Sequence, residues 1–336
     1  MCKISYYVVL ISIVAFACKK NDTDSSDNNQ NDKGLQIYIL GHTGDSLVLW
    51  KNDTLNLINR NFNGQYEDKQ GQLQIENNDI FIAGSENYKS VLYKNGVKTI
   101  LHPVNSRATT LFVQNNNTYV GGLTMDINGT ITGSSYSAYW NNGIKNIYYG
   151  ANSICNSIFR DGNDTYLTGA SGLSTGYDSR SIVFFKNNIP IVLTSDASEG
   201  MGIAKNGNDI IVAGNVYTYN ASYAVVWING VQSYVENTPS SDMSRAFNIY
   251  VKDGDVYITG TKNGLPAYWK NGQAVILDPH TAGAARDIKV LGNDIYVVGD
   301  HYNVFSRRTV AILWKNGTGK ELYGENFSCA FSIAVK

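Results

Sequence analysis

Asp255–Leu277, DVYITGTKNGLPAYWKNGQAVIL, contains an alternating apolar run ending at Gly260, a loop, a second run closing on Tyr268-Trp269-Lys270-Asn271-Gly272, and a short return to Leu277. Both runs are rich in β-branched and aromatic residues, which suit a pleated strand better than a helix. An Asn-Gly step between such runs marks a tight hairpin, because both of its residues tolerate positive φ. The phrase recurs along the chain. Its first run appears as QIYILG (36–41), DIFIAG (79–84), NTYVGG (117–122), DTYLTG (164–169), DIIVAG (209–214), DVYITG (255–260) and DIYVVG (294–299). The terminal glycines lie 38 to 47 residues apart, and each is followed by a partner run: LVLWKND, VLYKNG, AYWNNG, VFFKNN, VVWING, AYWKNG and ILWKNG.

Upstream of each first run lies a further strand candidate, such as Ala246–Val251 or Ala285–Val290, so each unit holds four strands joined by hairpins. A repeat of roughly 40–50 residues carrying four strands is the signature of a propeller blade. The first unit begins directly at Gln36 and lacks its upstream strand, while Cys329–Lys336, past the last unit, has the character of that missing strand. Docking it beside the first run would close the ring and remove two open sheet edges. The expected fold is all-β: a seven-bladed β-propeller over residues 35–336, four antiparallel strands per blade, with the ring closed by the C-terminal strand.

Residues 1–17 stand apart. Lys3 precedes an apolar run, Ile4 to Phe16, too short to span a bilayer comfortably, and the run ends Ala15-Phe16-Ala17-Cys18. That is the layout of a secretory signal peptide. Ala-Phe-Ala-Cys resembles a bacterial lipobox, in which Cys18 receives lipid and becomes the mature N-terminus; the alternative is an ordinary cleaved signal peptide or a membrane anchor. Past Cys18, the stretch to Gly34 is KKNDTDSSDNNQNDKG; with no apolar residue it reads as a flexible polar tether over 18–34. Net charge is −1 and no basic stripe is present, which argues against a nucleic-acid partner. Cys155 and Cys329 fall at the starts of upstream strands about half a ring apart, too far for the ~4.4–6.8 Å Cα separation of a disulfide. Two small buried fillers are expected there.

One position is aromatic in all seven units: Trp50, Tyr93, Trp140, Phe185, Trp227, Trp269 and Trp314. It precedes the tight turn in every blade, whatever the blade's loops, so it reads as a packing wedge and not as a sugar-binding stripe. Small residues recur in the upstream strands (Ala108, Cys155, Gly200, Ala246, Ala285 and Ala330, with Gln70 as the exception), which makes these the innermost strands. One residue earlier stand Lys69, Arg107, Ile154, Glu199, Arg245, Ala284 and Cys329, three cations against one anion at the mouth of the axis. As a binding feature this set favours an anionic ligand; as a structural one it is three solvated charges.

Four-stranded topology puts the Asn-Gly turns on one face and the variable connections on the other, with insertions at 123–137, 170–182, 215–223 and 300–309. A rigid scaffold with variable loops on one face is how binding sites are commonly carried. Tyr136, Tyr177, Arg180, Tyr217, Tyr219, Tyr223, Tyr302, Phe305, Arg307 and Arg308 map there, and Tyr and Arg dominate recognition hot spots. The ligand-binding candidates are Lys69, Arg107, Arg245, Tyr217, Tyr219, Tyr302 and His301. His42, His280 and His301 fall in the first and last blades with Asp45, Asp278 and Asp300, yet without the short spacing of a metal site, so no metal or cofactor is expected. Asp126-Ile127-Asn128-Gly129 holds a fragment of a calcium loop without its later ligands and reads as a turn.

The signal, Cys18, the Asp/Asn/Ser-rich leader and the repeated Tyr-Trp-Lys-Asn-Gly units together resemble propeller lipoproteins of Bacteroidota across residues 36–336. The resemblance implies lipid anchoring at the outer membrane with exposure at the cell surface, and it implies no activity. Signatures of hydrolase elbows, phosphate loops, zinc proteases and dinucleotide folds are missing from the sequence. The leading reading is an envelope binding or scaffold protein that presents its loop face to a glycan, peptide or envelope partner and meets the membrane through its lipid alone. The alternative is a propeller enzyme, of glycosidase or lyase type, acting on a polysaccharide.

Overall fold

A computed structural model describes residues 34–62, 71–172, 180–191, 193, 197–236, 243–324 and 327–336. The signal and most of the tether with Cys18, as well as Lys69, Gln70 and Tyr177, lie outside the described residues. Gln36–Lys336 forms one unit. It is all-β, with seven four-stranded antiparallel sheets among the described residues.

Blade 1 comprises β1 (Ile37–Thr43), β2 (Ser46–Lys51) and β3 (Thr54–Asn59), with β28 (Ser328–Val335) as its innermost strand. Blade 2 is β4 (Gln72–Glu76) to β7 (Val97–His102), through β5 (Asp79–Glu86) and β6 (Lys89–Lys94). Blade 3 is β8 (Ser106–Gln114), β9 (Asn117–Ile127), β10 (Thr130–Asn141) and β11 (Ile144–Ala151). Blade 4 follows with β12 (Ser153–Asp161), β13 (Asp164–Ser171), β14 (Ser181–Lys186) and β15 (Ile189–Ile191). Blade 5 runs β16 (Ser198–Asn206), β17 (Asp209–Thr218), β18 (Ala221–Ile228) and β19 (Val231–Tyr234). Blade 6 runs β20 (Ser244–Lys252), β21 (Asp255–Lys262), β22 (Leu265–Lys270) and β23 (Gln273–Ile276). Blade 7 runs β24 (Gly283–Leu291), β25 (Asp294–Asn303), β26 (Arg308–Lys315) and β27 (Thr318–Glu321).

The closure expected from the two ends is present. β28 pairs antiparallel with β1, from Ile37 opposite Val335 to Thr43 opposite Ser328. The seven wedge aromatics are all buried, none above 4% exposed. Trp269 packs on the preceding blade at Ile211, Ala213 and Ala224, and Trp227 at Ile182 and Phe184.

The Lys-Asn-Gly phrase turns out to be one device used seven times. Asn52, Asn95, Asn142, Asn187, Asn229, Asn271 and Asn316 adopt φ of 45–51° at the hairpin turn. Each Asn Oδ1 accepts the backbone N–H near the start of the neighbouring strand, at 2.8–3.0 Å. The Nδ2 of Asn95, Asn187 and Asn271 donates to Asp79, Asp164 and Asp255, which also pair with Lys94, Lys186 and Lys270. Those Lys and Asn partners hold the three carboxyls below their usual range. Each Lys also lies over the ring two residues past its Asp, 5.1–5.5 Å from the centroids of Phe81, Tyr166 and Tyr257.

The repeat glycine has a different cause from the turn glycines. In six blades it faces the small residue of the innermost strand at a β-bulge: Ala108 opposite Gly122, Cys155 opposite Gly169, Gly200 opposite Gly214, Ala246 opposite Gly260, Ala285 opposite Gly299 and Ala330 opposite Gly41. A Cβ on any of these six glycines would collide with the carbonyl oxygen of Arg107, Ile154, Glu199, Arg245, Ala284 or Cys329. A bulge re-aims the side chain that it inserts. The inserted residues (Thr109, Asn156, Met201, Phe247, Arg286 and Phe331) were not singled out in the sequence.

Several of these inserted side chains stitch consecutive blades together near the axis. Thr109 Oγ1 donates to the Cys155 carbonyl, and Asn156 Nδ2 to the Gly200 carbonyl at 2.9 Å. Met201, Phe247 and Ala284 form an apolar cluster from three successive innermost strands. Cys155 and Cys329 are both buried and form no disulfide, in keeping with their positions half a ring apart.

Candidate functional site

The loop face is built differently from the expected set of long loops. Within 123–137, β9 and β10 continue as a ladder to a two-residue turn at Asn128-Gly129, with φ of 50° and 85°. Insertions 215–223 and 300–309 likewise extend β17–β18 and β25–β26. In these three blades the variable face is thus built of overhanging hairpins, in which cross-strand hydrogen bonding holds the added residues, while most of insertion 170–182 lies outside the described residues.

Asp126, inside the calcium-like fragment, is 1% exposed. It accepts Thr124 Oγ1, Lys145 Nζ at 2.9 Å, the Gly129 backbone N–H at 2.9 Å and His102 Nε2. Burial alone would raise its pKa, but these donors outweigh burial and hold the carboxyl well below the usual range. The group fastens β7 of blade 2 to β9 and β11 of blade 3. Sequence reading missed it because the three side chains come from three strands.

Between the same two blades the loop face opens into a cleft of about 340 Å³. Ser85 and Tyr88 line it from blade 2, Asn105, Ser106 and Arg107 from the crossing to blade 3, and Leu123, Met125 and Ser135 from blade 3. Its walls are tied by the Ser106 N–H to the Tyr88 carbonyl and the Met125 N–H to the Asn105 carbonyl, both 2.9 Å. Arg107 is the candidate residue that lines this cleft.

The other candidates separate. Arg245 and Tyr217 meet on Glu199, which is 2% exposed: the Tyr217 hydroxyl donates to Oε1, Arg245 lies 3.8 Å away and Arg180 pairs at 2.5 Å. Arg245 and Arg286 also lie over the Phe247 ring, 5.2 and 5.5 Å from its centroid. The expected cationic mouth is therefore neutralised at Arg245 by an anion from the same set. Tyr219 is 92% exposed at a hairpin tip, and Tyr302 is half-exposed. His301 sits between Glu321, 2.8 Å from Nε2, and Asp278, 3.5 Å from Nδ1. Phe305, 95% exposed at the blade 7 tip, is the most prominent apolar group of this face.

His42 does not join His301. It is fully buried, stacks between Phe62 and Phe327 at 5.8 and 5.7 Å, and its Nδ1 bonds the Gly44 carbonyl. Burial pushes its pKa down to about 4. Between that value and the ~6.5 of an unfolded histidine the unfolded chain binds the extra proton, so stability falls as pH drops. The contribution is complete above pH ~6.5, and about 3 kcal/mol of stability is lost by pH ~4. Denaturant melts at pH 7 and 4.5 should show this loss, and His42→Gln should flatten it; an unchanged pH slope in the variant would contradict the assignment. Among the described residues no group of His, Cys, Asp and Glu could hold a metal ion.

No family model matches the chain, and no curated protein does. Solved structures do. The β-propeller domain of the trilobed protease from Pyrococcus furiosus, described as having an open velcro topology, aligns at 10% identity over 87% of this chain and 93% of that one, with a TM-score of 0.51. The Pyrococcus horikoshii acylaminoacyl peptidase aligns at 11% identity over 87% of this chain with a TM-score of 0.50, and this chain spans about half of it (51%). These likenesses bear on fold, and the fold is that of a seven-bladed propeller. No helix among the described residues is long and apolar enough to cross a membrane.

Proposed function

We propose that this chain is a lipid-tethered binding module of the cell envelope, anchored through Cys18 at the outer membrane and presenting its overhanging hairpins to a ligand. The observation that carries the reading is the division of labour between the two faces. One face repeats the same Asn-centred turn seven times. The other varies in every blade and holds the cleft at Arg107 and the exposed Tyr219 and Phe305.

On the repeated face Gln36 pairs with Lys336, and the Asn52 N–H bonds the Ile37 carbonyl. Acidic and neutral glycans on a microarray test the reading. The combined variant Arg107→Gln, Tyr219→Ser and Phe305→Ser should lose binding that Lys270→Ala on the opposite face retains. Equal loss in both, or none in either, would remove the loop face as the binding surface. Labelling with a radioactive fatty acid that fails to depend on Cys18 would remove the anchor.

A further inference from the structure

Tyr88 is held at φ 57°, in the left-handed region, at the second position of the turn between β5 and β6. The corresponding hairpins of blades 3 and 6 place Gly129 and Gly264 there, the residue that adopts this conformation without penalty. Tyr88 nevertheless lies 66% exposed on the rim of the cleft between blades 2 and 3. A bulky side chain kept in a costly backbone conformation, where its fold does not need it, points to a role in the cleft.

Three further features define what the cleft would hold. Arg107 is the charged member of its lining, and a guanidinium presents five donors in a planar fork that matches a carboxylate. Leu123 and Met125 supply an apolar wall. Ser85, which also lines the cleft, is 2% exposed, and its hydroxyl has no hydrogen-bond partner among the described residues. A buried hydroxyl of that kind gains a partner when a polar ligand atom arrives. Ser106 is already occupied, accepting the Ser90 N–H at 2.8 Å, so it fixes the wall. The volume of about 340 Å³ is at the small end of ligand pockets and suits one residue-sized molecule.

We propose that this cleft binds a small carboxylate carrying a compact apolar body, of the size of an aromatic or aliphatic amino acid, with the carboxylate on Arg107 and the body between Tyr88 and the Leu123–Met125 wall. This rests on the binding-module reading and narrows it to one ligand class.

N-acetyl-L-phenylalanine and its uncharged amide are the probes, titrated calorimetrically into the full chain in detergent. The acid should bind at least ~10-fold more tightly than the amide, and Arg107→Gln should abolish that preference. Tyr88→Gly should weaken the acid by ~10-fold while raising the melting temperature, because it relieves the backbone; a merely misfolded variant would melt lower. Equal affinity of acid and amide, or an undiminished preference in Arg107→Gln, overturns the proposal. Binding of neither probe also overturns it; if the loop face still captures a glycan, the broader reading survives, and if it captures none, both fall.

Discussion

Deletion of residues 328–336 is expected to leave a chain without a cooperative melt, one that elutes as aggregate in size-exclusion chromatography. β28 contributes to three blades at once. It completes the sheet of β1, with Ile333 opposite Ile39 and Ala330 opposite Gly41. It also ties blade 7 to the ring, because Asp287 Oδ2 accepts the Ile333 N–H at 2.9 Å and the Ser332 hydroxyl at 3.2 Å. Toward blade 2, the Leu73 N–H donates to Ser332 Oγ at 3.1 Å. Phe331 and Ile333 are both buried. Together they contribute roughly 3–6 kcal/mol at ~1.5–3 kcal/mol per large apolar side chain.

That sum is comparable with the ~5–15 kcal/mol total stability of an ordinary domain, before counting the 1%-exposed carboxylate of Asp287 left without two of its donors. The deletion would also open the long edge of β1 to pairing with other chains. A synthetic peptide spanning 327–336, added in trans, should restore the folded fraction. A truncated chain that melts cooperatively within a few degrees of the intact one would show that the ring does not depend on this strand.

Trp269→Ala is expected to cost about 3–5 kcal/mol in urea unfolding, with a smaller loss for Trp269→Phe. The indole is 1% exposed and wedged against Ile211, Ala213 and Ile258, so its removal opens a cavity between blades 5 and 6 that the rigid sheets cannot close. Its Nε1 donates at 2.6 Å to Glu236, which also takes Lys262 at 2.8 Å; the carboxylate would lose one of these donors. Ligand capture by the opposite rim should survive wherever the variant is folded. A cost below about 1 kcal/mol combined with lost binding would reverse the assignment of the aromatic series from packing to recognition.

Much of this architecture was legible in local sequence. DVYITG and its relatives alternate with the period of a strand, and Lys-Asn-Gly marks a turn whose requirement for positive φ is written in residue type. The meaning of the repeat glycine was less accessible. It marks the end of each first run plainly, but the carbonyl it must clear belongs to another strand, reached only when Ala246 is set opposite Gly260 by a bulge. Residues inserted by those bulges, such as Phe247 and Arg286, carry no local signature, since a bulge depends on how two strands fall into register.

The binding candidates divide along the same line. Tyr219 and Tyr302 could be placed on the variable face from topology alone, and the structure leaves them there, exposed. That Tyr217 and Arg245 would converge on Glu199 could not be read, because residues 180, 199, 217 and 245 come from three blades and meet only in the closed ring. Sequence alone determined the strand pattern, the number of blades and the face that varies, because those follow from short-range periodicity and turn chemistry. Tertiary structure decided which charges are neutralised and which one lines a cleft, because electrostatic pairing depends on distances between side chains that the chain brings together only across blade boundaries.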